Sequence, residues 1–462
     1  MSHTKQKLLL RYLIPFVCVC ISVKVSAQDI LVPEDSLPAT DFVYHQTDDY
    51  KAFLKNIADN NAAPLDKKIQ KQYLKVIEDK NSDLIDRLNK NEFIFDPVIY
   101  PYLYSIFLRA VKSNGLDPNT FHFFVSRSYE ANAYTYEDGT IVCNLGLLNI
   151  IRDESQLEMV FCHELSHFLL KHSNTALIKQ LETLNSDELL EQLKDIQKEQ
   201  YNTKEQLEKI MLTDVFNRRK HNRAQETAAD SLGMILFCKT GYGSNSVPQL
   251  FDLFDSCETN DTPLRTMKDF FTAEGLPSDD NWFKARRKMS FGEAPAKEIV
   301  DSLRTHPNCT MRKQATLAYF DQHSATGPCF SIGDINTLQQ IKNIAFFDEA
   351  TYIKDNNNLG LYLYDLIQND AQFPGNNYIK TEIFNTMLSL CMHQHEHTFY
   401  KVVNQPYVPD NDKDEYAKLL KILDEVGLRD LISITIAYYE KNEVYIHPSN
   451  ESITNLNQLK TI

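Results

Sequence analysis

Residues 156–174 read QLEMVFCHELSHFLLKHSN, an apolar run broken in its middle by His163, Glu164 and His167. Bare polar groups are costly to bury. A helix built from this run therefore needs something to satisfy them, and that need constrains the fold more than any other stretch of the chain. At about 100° per residue, Leu157, Phe161, Leu165, Phe168 and Leu169 share a stripe for a core, while His163 and His167, one turn apart, project together elsewhere. Two imidazoles at that spacing can grip one zinc ion. Glu164 sits beside the first of them, where its carboxylate reaches a water on the metal and not the metal itself. This is the HExxH arrangement, in which zinc lowers the pKa of the water and Glu164 takes its proton as the water attacks a carbonyl.

The pattern needs a third ligand. His172 is the first candidate and fails: the longer HExxHxxGxxH form wants Gly at 170 and His at 173, where this chain has Leu170 and Ser173. His172 is expected to finish the helix, where a cation favours the C-terminal dipole. Glu226, in RAQETAADSLGMILF, is the better candidate. It lies on an expected helix in which Ala224, Ala228 and Ala229 allow close approach to a neighbour. Asp230, one turn later, is placed to hydrogen-bond a zinc-bound histidine and hold its tautomer.

Four linked stretches, NAYTYEDGTIVCNLGLLNII, ESQLEMVFCHELSHFLLKHS, ETAADSLGMILFCKTGY and THPNCTMR, resemble in order and content the zinc metallopeptidase family that includes HtpX, BepA and the CAAX prenyl proteases. The resemblance covers roughly residues 96–320. It implies a gluzincin-type catalytic domain with one Zn2+ held by His163, His167 and Glu226, and Glu164 as base. It also implies that Asn132, Ala133 and Tyr134 lie on an edge strand where an extended substrate pairs its backbone. His306 and Arg312, matching a His-Pro-x-x-x-x-Arg element, would stabilise the oxyanion or its surroundings. The integral-membrane members carry several spanning helices that are absent here, so the chain looks like the exported soluble branch, and prenylated substrates are not expected.

Residues 1–27 place Lys5, Lys7 and Arg11 ahead of an apolar run from Tyr12 to Val23 and end in Val-Ser-Ala, a secretory signal pattern, with a single membrane anchor as the minor alternative because the run is short for spanning. Without it the chain carries 44 Lys and Arg against 63 Asp and Glu, a net charge of −19. Nucleic acid and anionic membrane faces are poor partners for such a surface. The expectation is an exported, periplasmic protein with no stable membrane span after signal removal. Its seven remaining cysteines are an odd number without a CxxC pair, so at least one thiol stays unpaired within the chain. Alternating His393, His395 and His397 beside Glu396 are read as solvated polar surface, with a second metal site as the minor alternative.

The expected fold is mainly α with a small β-sheet (α+β). A helical segment at 28–95 precedes the metallopeptidase domain at 96–323, and a helical C-terminal domain fills 324–462, its opening SATGPCFSIGD reading as a linker. Asp138-Gly139 marks a hairpin between two β-rich runs. Residues 175–222, charged and proline-free, read as one or two solvated surface helices, with a lid over the site as the sharper alternative. The expected activity is zinc-dependent endopeptidase cleavage of unfolded or misassembled cell-envelope proteins. The alternative is a chaperone-like assembly factor that holds clients, its helical C-terminal region being the candidate surface for a protein partner. A purely structural zinc site fits less well, since such sites favour cysteines and close the fourth position.

Overall fold

The computed structural model describes residues 47–187, 189, 191, 223–259, 263–284, 309–407 and 414–461. The signal segment at 1–27, His306 and most of the 175–222 stretch lie outside them. Helices dominate around one small sheet, the expected class.

Two helices come first, α1 (Thr47–Ala62) and α2 (Lys67–Asn89). The carboxylate of Asp66 caps α2, accepting from the backbone N–H groups of Lys68 and Ile69 at 2.9 and 3.2 Å, which satisfies donors a helix start leaves open. A two-residue strand β1 (Phe93–Ile94) leads into α3 (Ile99–Ser113), which ends just before Gly115 at φ 69°. Strands β2 (His122–Ser126), β3 (Ala133–Thr135) and β4 (Thr140–Asn144) complete a sheet of order β1-β2-β4-β3. The Asp138-Gly139 turn joins β3 and β4 in the expected antiparallel hairpin, with Gly139 at φ 92°. The parallel pairing of β2 with β4 and the β1 edge were not anticipated.

Alternation along the strands sends side chains to opposite faces, and here both faces are covered. Phe123, Val125, Ile141 and Cys143 enter the main core with α3 and the histidine helix, while Phe124 and Val142 meet Tyr50, Leu54, Leu84 and Ile85 of α1 and α2. The N-terminal helices are thus a second layer on the sheet. In the main core Phe107 stacks on Phe123 at 5.0 Å, and Phe161 meets both edge-on at 5.9 and 5.5 Å.

After α4 (Leu145–Ile150), the HExxH segment forms α5 (Glu154–Leu169), capped by the Asp153 carboxylate on the N–H of Gln156. Leu157, Phe161 and Leu165 are fully buried, but Leu169, expected on the same stripe, is 37% exposed because the last turn runs past the core. The chain then reverses through Lys171, at φ 54°, into α6 (His172–Leu184). His172 therefore opens a helix, where it was expected to end one. Nor is the start of the charged stretch solvated: Leu177, Ile178 and Leu181 of α6 pack on Ala58, Ile69 and Tyr73 of the N-terminal layer.

Helix α7 (residues 223–237) stops before Gly241, and α8 (Leu250–Thr259), α9 (Met267–Glu274) and α10 (Cys309–Gln322) follow. The C-terminal region holds α11 (Ile335–Asp355), α12 (Leu359–Gln372), α13 (Asn377–His395), α14 (Glu415–Glu425), α15 (Leu428–Asn442) and α16 (Asn450–Leu459). They build a second core, in which Met267, Phe270 and Phe271 of α9 are also buried. No helix among the described residues is long and apolar enough to cross a membrane. The described cysteines, Cys143, Cys162, Cys238, Cys309, Cys329 and Cys391, are all free thiols.

The expected linker at 324–334 is instead tied down. The buried Glu154 carboxylate accepts the N–H groups of Ser331, Ile332 and Gly333 at 2.6, 2.8 and 2.6 Å, and the hydroxyls of Tyr102 and Tyr242 at 3.0 and 2.8 Å. Backbone bonds from Gly243 to Pro328, from Ser244 to Ala325 and from Ser155 to Cys329 hold the rest.

Candidate metal centre

The two histidines of α5 project from its outer side towards α7. His163 Nε2 and His167 Nε2 lie 3.0 Å apart, and each is 3.4 Å from a different oxygen of Glu226. A tetrahedral ion with bonds of about 2.1 Å has ligand-to-ligand edges of about 3.4 Å. Each imidazole meets one Glu226 oxygen at that distance, the two imidazole nitrogens sit closer at 3.0 Å, and the three ligand atoms lie within 4.8 Å of one another, a group that could hold a metal. Among the described residues this is the group of His, Cys, Asp and Glu side chains able to hold a metal, and the histidine tract at 393–397 supplies none. Two imidazoles and one carboxylate leave a coordination position open, which suits a catalytic ion better than a closed structural one.

Close approach of α7 to α5 makes this possible. Ala229 is buried at the contact, but Ala224 is exposed, so it is not one of the residues that permit the approach. The decisive small residue is Gly233, where a Cβ would lie 3.2 Å from Met159 Cε and 3.3 Å from the backbone of His163. The periodic spacing of small residues about Glu226 was the available signal, and Gly233 extends it by one turn.

Asp230 lies behind His163, its Oδ1 2.9 Å from Nδ1, close enough to pair though off the line of a hydrogen bond. Arg312 grips Asp230 through two bonds of 2.7 and 2.8 Å, reaches Glu226 at 3.3 Å, and lies over the Phe251 ring. Buried charges of both signs thus pair with one another, the usual condition for keeping them out of water. Burial would lower His163, but Asp230 and Glu226 outweigh it and push the imidazole up to about 10. A cation binding at these nitrogens displaces that proton. Burial would raise Glu226, yet His163, Arg312 and His167 bring it down to about 2.

Glu164 points into the same cleft and is almost fully buried. Its Oε2 accepts the Thr135 hydroxyl at 2.8 Å. Burial pushes its carboxyl up to about 7, against the pull of His163 and Thr135. Thr135 comes from β3, the sheet's edge strand, so the residue opposite the base is set by the sheet register. The expected strand residues divide: Ala133 faces the main core, while the Tyr134 side chain turns to the other face, where its hydroxyl accepts from Arg87 at 2.9 Å. Tyr134 nonetheless lines the cleft, as Asn132, Ala133 and Thr135 do. Asn132 precedes the strand, its carbonyl accepting from the N–H of Asn144.

The cavity, about 260 Å³, has β3 along one wall and Leu250, Phe251 and Phe254 of α8 along the other, with the His163–Glu226 cluster at its floor. A polar floor between an open strand edge and an apolar wall can receive an extended chain and present one of its carbonyls to the metal position.

The model of peptidase family M48 matches residues 100–319. A beta-barrel assembly-enhancing protease of Escherichia coli (strain K12) is 34% identical over 79 residues, 17% of this chain and 16% of that protein. A putative beta-barrel assembly-enhancing protease of Vibrio cholerae serotype O1 is 25% identical over 167 residues, 35% of this chain and 34% of its own length. One from Yersinia pestis is 29% identical over 87 residues, 19% of this chain and 18% of that protein. The chain spans about a third or less of these curated relatives.

Proposed function

From the match of residues 100–319 to the model of peptidase family M48, we propose that the protein is an exported, periplasmic zinc metalloendopeptidase that cleaves misfolded or misassembled cell-envelope proteins. The observation that carries this reading is the convergence of His163, His167 and Glu226 to within 4.8 Å, with Glu164 beside them in one cleft. The signal segment argues for export, and the relatives, named as beta-barrel assembly-enhancing proteases, support protein substrates connected with assembly.

His163, His167 and Glu226 would hold the zinc. When bound, it would supply Lewis acidity, making water a nucleophile near neutral pH and polarising the scissile carbonyl. Alternation along β3 turns the N–H and C=O groups of Ala133 and Thr135 away from β4, so these are the groups free to pair with a substrate backbone. The carbonyl of Thr135 already accepts weakly from the Ser173 hydroxyl at 3.3 Å, a contact a substrate amide would replace. Glu164 takes the proton of the attacking water and passes it to the leaving amide nitrogen, its burial keeping the carboxyl near the working pH. Asp230 and Arg312 orient and balance the ligands. Arg312 is committed to those two carboxylates, which supports a role for it around the site rather than at the oxyanion.

Zinc content of the purified mature chain, measured with chelator-sensitive cleavage of casein, tests the reading. Glu164→Gln should keep the zinc and lose cleavage. A protein that neither holds zinc nor cuts an unfolded chain would overturn the proposal. The name of these relatives joins assembly to proteolysis, and the second helical core lies mostly beyond residue 319, so a client-holding role is the second reading. Assembly function that survives Glu164→Gln would favour it.

A further inference from the structure

The turn that ends α5 points to a residue with a role of its own. His172 Nδ1 lies 3.1 Å from His167 Nδ1, with the two rings edge to face at 4.9 Å. We propose that His172 is a positioning residue for the second metal ligand: it accepts the Nδ1–H of His167 and so holds the tautomer whose Nε2 lone pair faces His163 and Glu226. The inference rests on the metallopeptidase reading and adds to it a residue outside the HExxH and Glu226 motifs.

Two facing Nδ1 atoms at this distance share one proton. If His167 is to offer Nε2 to an ion, its own Nδ1 carries the hydrogen, and His172 supplies the lone pair as a neutral imidazole. The other ligand is supported differently, with the Asp230 carboxylate behind His163. Charge explains the asymmetry. Glu226 and Asp230 already bring two negative charges to the vertex against the single positive charge of Arg312. A third carboxylate behind His167 would make the ion less electrophilic, whereas an imidazole orients the ligand and adds no charge.

The backbone is arranged for this contact. Lys171, a non-glycine residue, adopts the left-handed conformation at φ 54°, which costs energy for an L-residue and clusters at functional turns. That single reversal brings His172 back over His167. The turn is then tied from both sides of the cleft: the Ser173 hydroxyl donates to the carbonyl of Thr135, and Gln225 Nε2, next to Glu226, donates to the carbonyl of His172 at 3.3 Å. Three elements of the site meet at residues 171–173.

Substitutions of matched size separate the lone pair from the volume. Asn places an amide oxygen where Nδ1 was, and Leu fills similar space without an acceptor. Affinity of the full mature chain for zinc, by competition with a chromophoric chelator, and the visible spectrum with Co2+ are the readouts. His172→Leu should weaken zinc binding about 10- to 100-fold and alter the Co2+ spectrum, and His172→Asn should restore both nearly to wild type. Leu binding within about twofold of wild type, or Asn as weak as Leu, would overturn the inference. If the Leu variant fails to fold on thermal melting, His172→Ala takes its place in the comparison. A wild-type chain that binds neither metal would instead bring down the metallopeptidase reading, and this inference with it.

Discussion

Individual side chains decide whether the site exists at all, and Gly233 is the sharpest case. Its missing Cβ lets α7 approach α5 at His163; the Met159 tip there could shift, but the backbone N and Cα of His163 at 3.3 Å cannot move aside as a side-chain tip can. Gly233→Ala should therefore push Glu226 away from the histidines, weakening zinc affinity about tenfold and costing about 1–3 kcal/mol of stability, read by chelator competition and thermal unfolding. A variant with wild-type affinity would mean that the helices have slack. Phe161, locked between Phe107 and Phe123, is the opposite kind of residue. Phe161→Ala should cost about 3–5 kcal/mol while leaving the metal ligands chemically intact, so a chelator titration of the folded fraction should still show one site.

At the scale of elements, α5 is held at both ends by contacts that its own sequence does not announce. Its last turn is closed by Lys171 and His172, and its first is clamped by Glu154 to the strap at 331–333. Burial alone would raise the Glu154 carboxyl, but the N–H donors of Ile332, Ser331 and Gly333, with the Tyr242 hydroxyl, outweigh it and hold the pKa below the ordinary 4.5. A depressed folded pKa means that this contribution is fully present above about pH 4.5 and is lost as pH falls through the folded value. Glu154→Gln should lower stability by about 1–3 kcal/mol at neutral pH, and the wild-type advantage should shrink as the medium is acidified below pH 4.5. Urea melts of both proteins across that range would check it, and a gap that stays constant with pH would contradict the assignment.

Across the whole molecule, α11 is the beam that joins the two cores. Leu338, Ile341 and Ala345 lie in the core around the candidate site, while Phe346, Phe347, Ala350 and Ile353 of the same helix lie in the C-terminal core. The seam is reinforced by Arg127 on Asp348 at 2.8 Å and Asn149 on Glu349 at 3.0 Å. From the other direction α9 is captured by buried Lys380, which bonds Glu274 at 2.9 Å and Asp370 at 3.1 Å. A fragment ending at 323 would expose Met267, Phe270 and Phe271 and leave the α11 groove empty. It should be recovered aggregated, whereas the intact chain should melt in one cooperative step. A monomeric, cooperatively folding fragment would show that the cores are independent.

The members of the candidate site could be picked out in the linear chain because their pattern is local or carried by residue type: two histidines one helical turn apart, a glutamate beside the first, and a Glu-x-x-x-Asp on a second helix. The hairpin at Asp138-Gly139 and the N-terminal amphipathic helices were legible for the same reason, since turn chemistry and helical period are set within a few residues. What could not be read is every relation that depends on distant segments meeting. The parallel pairing of β2 with β4, the strap on Glu154, the return of His172 to His167, the packing of α6 on the N-terminal layer and the passage of α9 into the second core involve partners from 5 to more than 100 residues apart. Their signals are a carbonyl direction, a positive φ or a missing Cβ, which residue type only weakly encodes. Type and spacing choose the reaction a chain can carry, but only the packed fold brings the donors onto one point and decides which of them point there.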